Sequence, residues 1–384
     1  MSGVLAVAAL SCRLMAESAL RGGFRVVALD VFGDIDTRRA ASAWHCIGEA
    51  ASMRLDAERV VSALEKLRDE PDVVGWIAGS GFEAIPEALW RGAARVPLIG
   101  NAPSVIERIR QPAMFFSRLD ALGIPHPEVS FTAPSAPDGW LVKHAGGSGA
   151  WHIDQASKDE CRTSVMDPGR YFQRRVQGRS LSALFLANAH QHRLIGLTEQ
   201  IIRERGGHPY VYCGVVGPVS LPLTVTRHIE EAIRAVVVDF DLVGLNSMDF
   251  LCDGDNLYVL EVNPRPSSSM ALYDCELEHG LIRAHVEASL RGSLLIAKDR
   301  GWEGVVRGTQ IVFAERPYRI DLPSIERLCA SPWSHDIPHE GTLMSPGEPV
   351  CSVAAEAPRI DWVYALLDRR CEAVRMWLED SDDR

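Results

Sequence analysis

Between Gly244 and Pro266 the chain reads Gly-Leu-Asn-Ser-Met-Asp-Phe-Leu-Cys-Asp-Gly-Asp-Asn-Leu-Tyr-Val-Leu-Glu-Val-Asn-Pro-Arg-Pro, and no other stretch limits its fold so tightly. Two strand-like runs flank a turn rich in Asp, Gly and Asn, the composition of a β-hairpin. Side chains alternate along a strand, so Glu261 and Asn263 share one face. A three-residue loop at Gly254-Asp255-Asn256, with Asn256 left-handed, sets Cys252 near Tyr258 and Asp249 opposite Glu261. A two-residue loop instead sets Asp249 opposite Leu260 and turns Glu261 away. The first register gathers Asp249, Glu261 and Asn263 on one surface, where two facing carboxylates need a cation. Such oxygen ligands suit Mg²⁺, which takes few protein ligands and completes its shell with phosphate oxygens. Pro264 ends the strand, and Arg265 adds a fixed positive charge able to stabilise a phosphoryl group in transfer. An exposed acidic hairpin closed by a proline turn satisfies the same spacing.

A second constellation lies upstream. Trp140-Leu-Val-Lys143 reads as a short strand running into His144-Ala-Gly146-Gly147-Ser148-Gly149. Glycines at three of four positions let backbone N–H groups close on phosphate oxygens, and Lys143 supplies a point charge. The sequence is not a Walker loop, and a plain flexible turn has the same composition. Tyr171–Ala187 reads as strand, turn at Gly178, strand. Extended backbone near Gln173–Val176 can offer N–H and C=O groups to an adenine edge, although an ordinary antiparallel pair fits equally well.

The first 100 residues alternate strands (Val4–Ala8, Phe24–Asp30, Val73–Ala78, Pro97–Ile99) with helices (Arg13–Arg21, Ala57–Arg68, Glu83–Arg95), the rhythm of a helix-covered parallel sheet. Gly79-Ser80-Gly81-Phe82-Glu83 then falls at the carboxyl end of a strand, where open α/β sheets bind ligands. Helices are expected at 104–122, broken at Pro112, at 226–240 and near 278–290. From about 303 to 384, β-like runs alternate with Pro/Gly turns, and the acidic end Glu379–Asp383 reads as frayed.

A net charge of −11 without a dense Lys/Arg block argues against nucleic acid as a partner. No run approaches the ~20 apolar residues of a membrane span. Val4–Leu10 lacks the basic residues that open a signal peptide. Nine scattered cysteines without a CxxC pair read as reduced thiols of a cytoplasmic protein and give no zinc site.

Taken in order, the break Gly123-Ile-Pro-His-Pro127, the strand lysine with its glycine loop, the hinge ending at Gly178 and D-x₁₁-E-x-N-P-R resemble the ATP-grasp superfamily over about residues 1–290. The likeness extends to predicted carboligases related to biotin carboxylase. It implies an α/β fold with a Rossmann-like domain at 1–100 and a two-subdomain ATP-grasp domain at 101–300 whose small lid spans about 128–175. A β-rich segment at 301–384 would pack on that core. It implies ATP and Mg²⁺ as cofactors, with Asp249, Glu261 and Asn263 as metal ligands. Lys143, Gly146, Gly147, Ser148 and Gly149 would grip phosphate, and Gln173, Arg174, Val176 and Ser180 would surround the nucleoside. Arg265 and Lys143 would be catalytic, and Ser80, Gly81 and Glu83 would face the substrate. From the residues alone, Arg203 and Arg205 are further candidates for an anionic substrate.

Two departures stand out. The basic residue such proteins carry before the break is absent, so either Arg108 or Arg110 replaces it or that phosphate contact is missing, and Ser180 stands where a ribose-binding carboxylate is expected. The expected activity joins a small-molecule carboxylate to an amine or other nucleophile through an acyl phosphate, releasing ADP and phosphate. A biosynthetic role and a homodimer are compatible with it. A bicarbonate-activating carboligase and a nucleotide-binding regulatory protein without chemistry are the rival readings. His126, His144, His152 and His208 read as hydrogen-bonding spectators.

Overall fold

Val4–Ala8 is buried along its whole length, as a strand covered on both faces must be. In the computed structural model it pairs in parallel with Arg25–Asp30 and Val73–Ala78, and Ala43–Cys46 joins the outer edge. The structure describes residues 3–147, 149–162, 169–295 and 304–382. Helices Arg13–Arg21 and Ala57–Leu67 cover this sheet, the latter capped by Asp56, whose carboxylate accepts the Arg59 N–H at 3.0 Å. Pro97–Ile99, expected as a strand, contributes only a bridge from Leu98 to Trp76.

The central sheet has eight antiparallel strands. Asn256–Asn263 lies at one edge, followed by Val243–Asp253, Arg179–Asn188, His192–Arg205 and His208–Gly217. Alternation along Arg179–Asn188 sends Leu181, Ala183 and Phe185 under the helix Leu223–Phe240. Leu184 and Leu186 pack instead with Leu281 and Val286 against the core of the parallel sheet, and Ser180 and Ser182 continue that same face into open space. Helix Leu223–Phe240 is amphipathic, burying Val225, Ile229, Ile233, Val236 and Phe240.

The last part of the chain does more than pack on this core. Val306–Phe313 pairs with His208–Gly217, and Pro349–Ala357 and Ser334–His335 extend the same sheet. Helices Leu322–Ala330 and Ile360–Asp382 belong to it as well, the second running 23 residues into the segment expected to fray, of which Asp383 lies outside the described residues. At the junction with the older strands, Gly214 has φ +156°, and a Cβ there would overlap the Thr309 carbonyl. Gly214→Ala is expected to lower stability by about 2–4 kcal/mol in urea unfolding, because strain and overpacking add.

A four-stranded antiparallel sheet, Val129–Ser130, Arg170–Arg174, Trp140–His144 and Asp154–Gln155, stands apart from both others. The two strands flanking Gly178 therefore belong to different sheets, and residues 175–178 are a crossing between them, not a hairpin. Gly178 makes the crossing at φ +149°, close against the Cys252 backbone. Asn101 fixes the chain leaving the parallel sheet. Its amide donates to Asn246 Oδ1 at 2.8 Å and the Pro264 carbonyl at 3.0 Å, and accepts the Val243 N–H at 2.8 Å.

Candidate active site

The three sheets enclose a cavity of about 1740 Å³, above the usual range for one small ligand. The carboxylate hairpin forms part of its wall, and it meets there by an unexpected route. The loop has two residues, with Gly254 at φ +58°, and Cys252 lies opposite Leu257. That register should have turned Glu261 away. A β-bulge between Asp249 and Phe250 takes up one extra residue, so Phe250 faces Val259 while Asp249 faces Glu261.

Asp249 is held by side chains from the neighbouring strands. Ser182 Oγ donates to its Oδ1 at 2.6 Å, Gln200 adds a side-chain hydrogen bond, and Asn263 Nδ2 lies 3.2 Å from Oδ2. Burial, and then the facing Glu261, raise the Asp249 pKa. Burial would raise Glu261 too, but Arg110 and then Lys143 bring it below its ordinary value. Ser182 sits directly across from Asp249. It was not anticipated, and two-residue alternation from Ser180 was the signal that could have found it.

Lys143, 7% exposed, enters from the small sheet. Burial lowers its pKa, opposed by the charges of Glu261 and Asp249. Gly146, Gly147 and Gly149 line the cavity beside it, while Ser148 lies outside the described residues. Gly147 has no room for a side chain, since a Cβ would overlap the His152 ring. Gly147→Ala is expected to weaken ATP binding about tenfold, read by nucleotide titration, with far-ultraviolet circular dichroism unchanged.

Between Arg108 and Arg110 the geometry chooses. Arg108 donates to the Asp239 carbonyl at 3.0 Å, away from the cavity. Arg110 reaches Glu261 Oε2 at 3.2 Å and the carbonyls of Ala145 and Gly147 at 2.9 and 3.2 Å. One guanidinium thus joins the hairpin to the glycine loop. Arg265 Nε donates to Glu83 Oε1 at 2.7 Å, bringing the loop after Val73–Ala78 into the same site. Burial opposes ionisation of Glu83, yet Arg265 and Arg110 hold its pKa down to about 2. Glu83 therefore contributes stability above the ordinary 4.5, lost only as pH falls towards 2.

The remaining expected residues divide. Gln173 is 2% exposed, lines the cavity, and its Nε2 has no hydrogen-bond partner among the described residues, an orphaned donor of the kind a base edge satisfies. Val176 lines the cavity, as do Ser80 and Gly81. Ser180 lies there too, donating to Gln200 Oε1 at 2.7 Å. Arg174 borders the cavity, but its side chain is exposed and packs over Trp140, and its N–H is taken by the Glu128 carbonyl. Arg205 borders the cavity, whereas Arg203 does not, and lies 3.7 Å from Asp368 on the last helix. Arg203 is corrected on that ground: its strand presents it to the C-terminal helix.

Among the described residues no group of three or more His, Cys, Asp or Glu side chains forms a metal cluster. Two carboxylates with an adjacent Asn are nevertheless a donor set that fits magnesium, and the raised Asp249 pKa marks a pair short of positive charge.

Residues 113–269 match the family model of the ATP-grasp domain. An uncharacterised protein of Methanocaldococcus jannaschii is 23% identical over 368 residues, covering 91% of this chain and 87% of its own length. The L-amino acid ligase of Bacillus licheniformis superposes with a TM-score of 0.71 at 14% identity, over 97% of each chain. The biotin carboxylase domain dimer of Hydrogenobacter thermophilus 2-oxoglutarate carboxylase, solved with MgADP and bicarbonate, gives 0.69 at 14% identity, over 92% of this chain and 86% of its own. Residues 113–269 thus carry an ATP-grasp domain, and the chain as a whole shares its fold with these solved structures.

Proposed function

We propose that the chain is an ATP- and magnesium-dependent ligase that joins a small-molecule carboxylate to an amine through an acyl phosphate, releasing ADP and phosphate. One observation carries the reading: Asp249 and Glu261 face each other in a cavity that also receives Lys143, Arg110 and Arg265. Oxygen donors suited to a divalent cation thus share one cavity with three cationic side chains suited to phosphate oxygens. The three basic side chains would align the triphosphate and offset the charge that develops on the transferred phosphoryl group. Asp249, Glu261 and Asn263 would hold magnesium, which supplies charge neutralisation at phosphate oxygens. The attacking carboxylate is already an anion, so the residues contribute alignment and electrostatics, with no base needed for that step. The amine then displaces phosphate from the acyl carbon.

Nine free thiols are in keeping with a reducing cytoplasm, and no described helix is long and apolar enough to cross a membrane. The likeness to a domain solved with bicarbonate favours a second reading, in which bicarbonate is the carboxylate activated. Purified protein with ATP, Mg²⁺ and pools of acids and amines is expected to release ADP only when both pools are present. Release driven by bicarbonate alone would favour the second reading, and AMP with pyrophosphate would overturn the acyl-phosphate scheme.

A further inference from the structure

The cavity does not end at the glycine loop. It continues across the carboxyl ends of the parallel strands, past Ser11 and Asp34, to Asp336, His339 and Thr342 of the C-terminal part. This far end is acidic, and its carboxylates differ in how they are satisfied. Asp30 accepts the N–H groups of Cys12 at 2.9 Å and Gly33 at 2.8 Å, and Trp44 Nε1 at 2.7 Å. Arg13 is divided among Asp336 at 2.8 Å, Glu17 at 3.0 Å and Asp36 at 3.5 Å. Asp36 also accepts the N–H groups of Asp336 and Ile337 at 2.7 and 3.2 Å.

Asp34 receives none of this. It is 7% exposed and lines the cavity, and its carboxylate makes no hydrogen bond or ion pair with a described residue. An aspartate just before a helix usually accepts an N–H from the first turn, worth about 1 kcal/mol. Asp34 precedes the short helix Ile35–Ala40 and forgoes that bond. Nearby side chains are engaged elsewhere: Arg38 lies over Trp44 and donates to the Gly33 carbonyl at 2.8 Å, and His339 Nε2 lies 2.8 Å from the same oxygen. Burial, followed by Asp336, Asp30 and Asp36, raises the Asp34 pKa far above an ordinary aspartate. Carboxylates at this end outnumber the guanidinium groups, and Asp34 is the one whose side chain has no direct partner among the described residues.

We infer that this end of the cavity seats a cationic nitrogen of the amine substrate, an ammonium or amidinium group held on the Asp34 carboxylate. The inference rests on the ligase reading for the substrate's role. The nitrogen that attacks an acyl phosphate must keep its lone pair, so the group on Asp34 is a second, protonated nitrogen. The substrate class is therefore a diamine or an amine bearing a guanidinium group. An anionic tail here would face Asp34 and Asp336 together.

Calorimetric titration of the full chain, without nucleotide, tests this with 1,4-diaminobutane and 4-guanidinobutylamine against 1,4-butanediol and succinate. At least one cationic probe is expected to bind about tenfold or more tighter than the diol, and succinate weakest. Asp34→Asn is expected to erase that preference, whereas Asp36→Asn, whose carboxylate is already satisfied, retains it. Equal binding of diol and cations by the natural protein, or a preference that survives Asp34→Asn, overturns the inference. The comparison of probes on the natural protein decides the matter even if the variant misfolds. Because no ATP is present, cation preference without ADP release counts against the ligase reading alone. ADP release from acids and amines without cation preference counts against this site alone.

Discussion

Glu261→Gln and Asp249→Asn are each expected to cut ATP turnover at least ~10³-fold, equivalent to about 4 kcal/mol of transition-state stabilisation. Both substitutions keep side-chain volume and remove one of two facing carboxylates. For Asp249 a merely structural role predicts a loss of stability, whereas repulsion from Glu261 predicts the opposite; Glu261, held by Arg110 and Lys143, carries no such gain. The Asp249 pKa is raised in the folded state. Ionising it therefore costs stability as pH climbs above the ordinary 3.8, and the cost vanishes below that value. Asp249→Asn should thus melt at or above the natural protein at pH 8 and show no such gain at pH 4. ADP-release kinetics beside calorimetric melting would read both effects. Turnover surviving in either folded variant would remove the hairpin from the chemistry.

The second large effect concerns Arg110. Arg110→Ala is expected to lower kcat/KM for ATP by ~10²–10³-fold and stability by about 2 kcal/mol. The stability figure is kept modest because the Glu261 side chain is 43% exposed to the cavity. Arg110→Lys should recover little, since an ammonium cannot span a carboxylate and two carbonyls as a guanidinium fork does. Arg108→Ala serves as the comparison and should leave turnover within about twofold, because its contacts lie at Asp239 and Asp241. Equal losses from the two alanine variants would contradict the placement of Arg110.

What the sequence made legible was whatever depends on short-range periodicity. Val4–Ala8, Arg13–Arg21 and Val73–Ala78 match their expected bounds residue for residue. The facing of Asp249 and Glu261 was also foreseen, but for the wrong reason. Turn length is legible in the residues and a bulge is not, because a bulge is selected by packing on both faces and leaves no local signature. The crossing at Gly178 looked like a hairpin because a turn between two strands reads alike whether they share a sheet or not. The helix Ile360–Asp382 was missed although Val363, Leu367, Cys371, Val374 and Leu378 recur at helical spacing. The β-like runs and turns before it drew the reading. Arg110 and Arg203 show the limit for single side chains. Nothing in either neighbourhood says that one enters the cavity and the other meets Asp368. That choice is made by contacts distant in the chain, from 35 residues away at Ala145 to 151 at Glu261 for Arg110.

The bulge beside Asp249 has an effect beyond register. In a regular pleat, consecutive residues look to opposite sides, and a strand can offer a ligand only every second side chain. Here Leu260 and Glu261 are neighbours in sequence and both border the cavity, while Val259 and Val262 on either side are buried beneath the helix. One strand thus presents an oily patch and an anionic tip side by side. A nucleotide, greasy at its base and charged at its tail, has that same split personality.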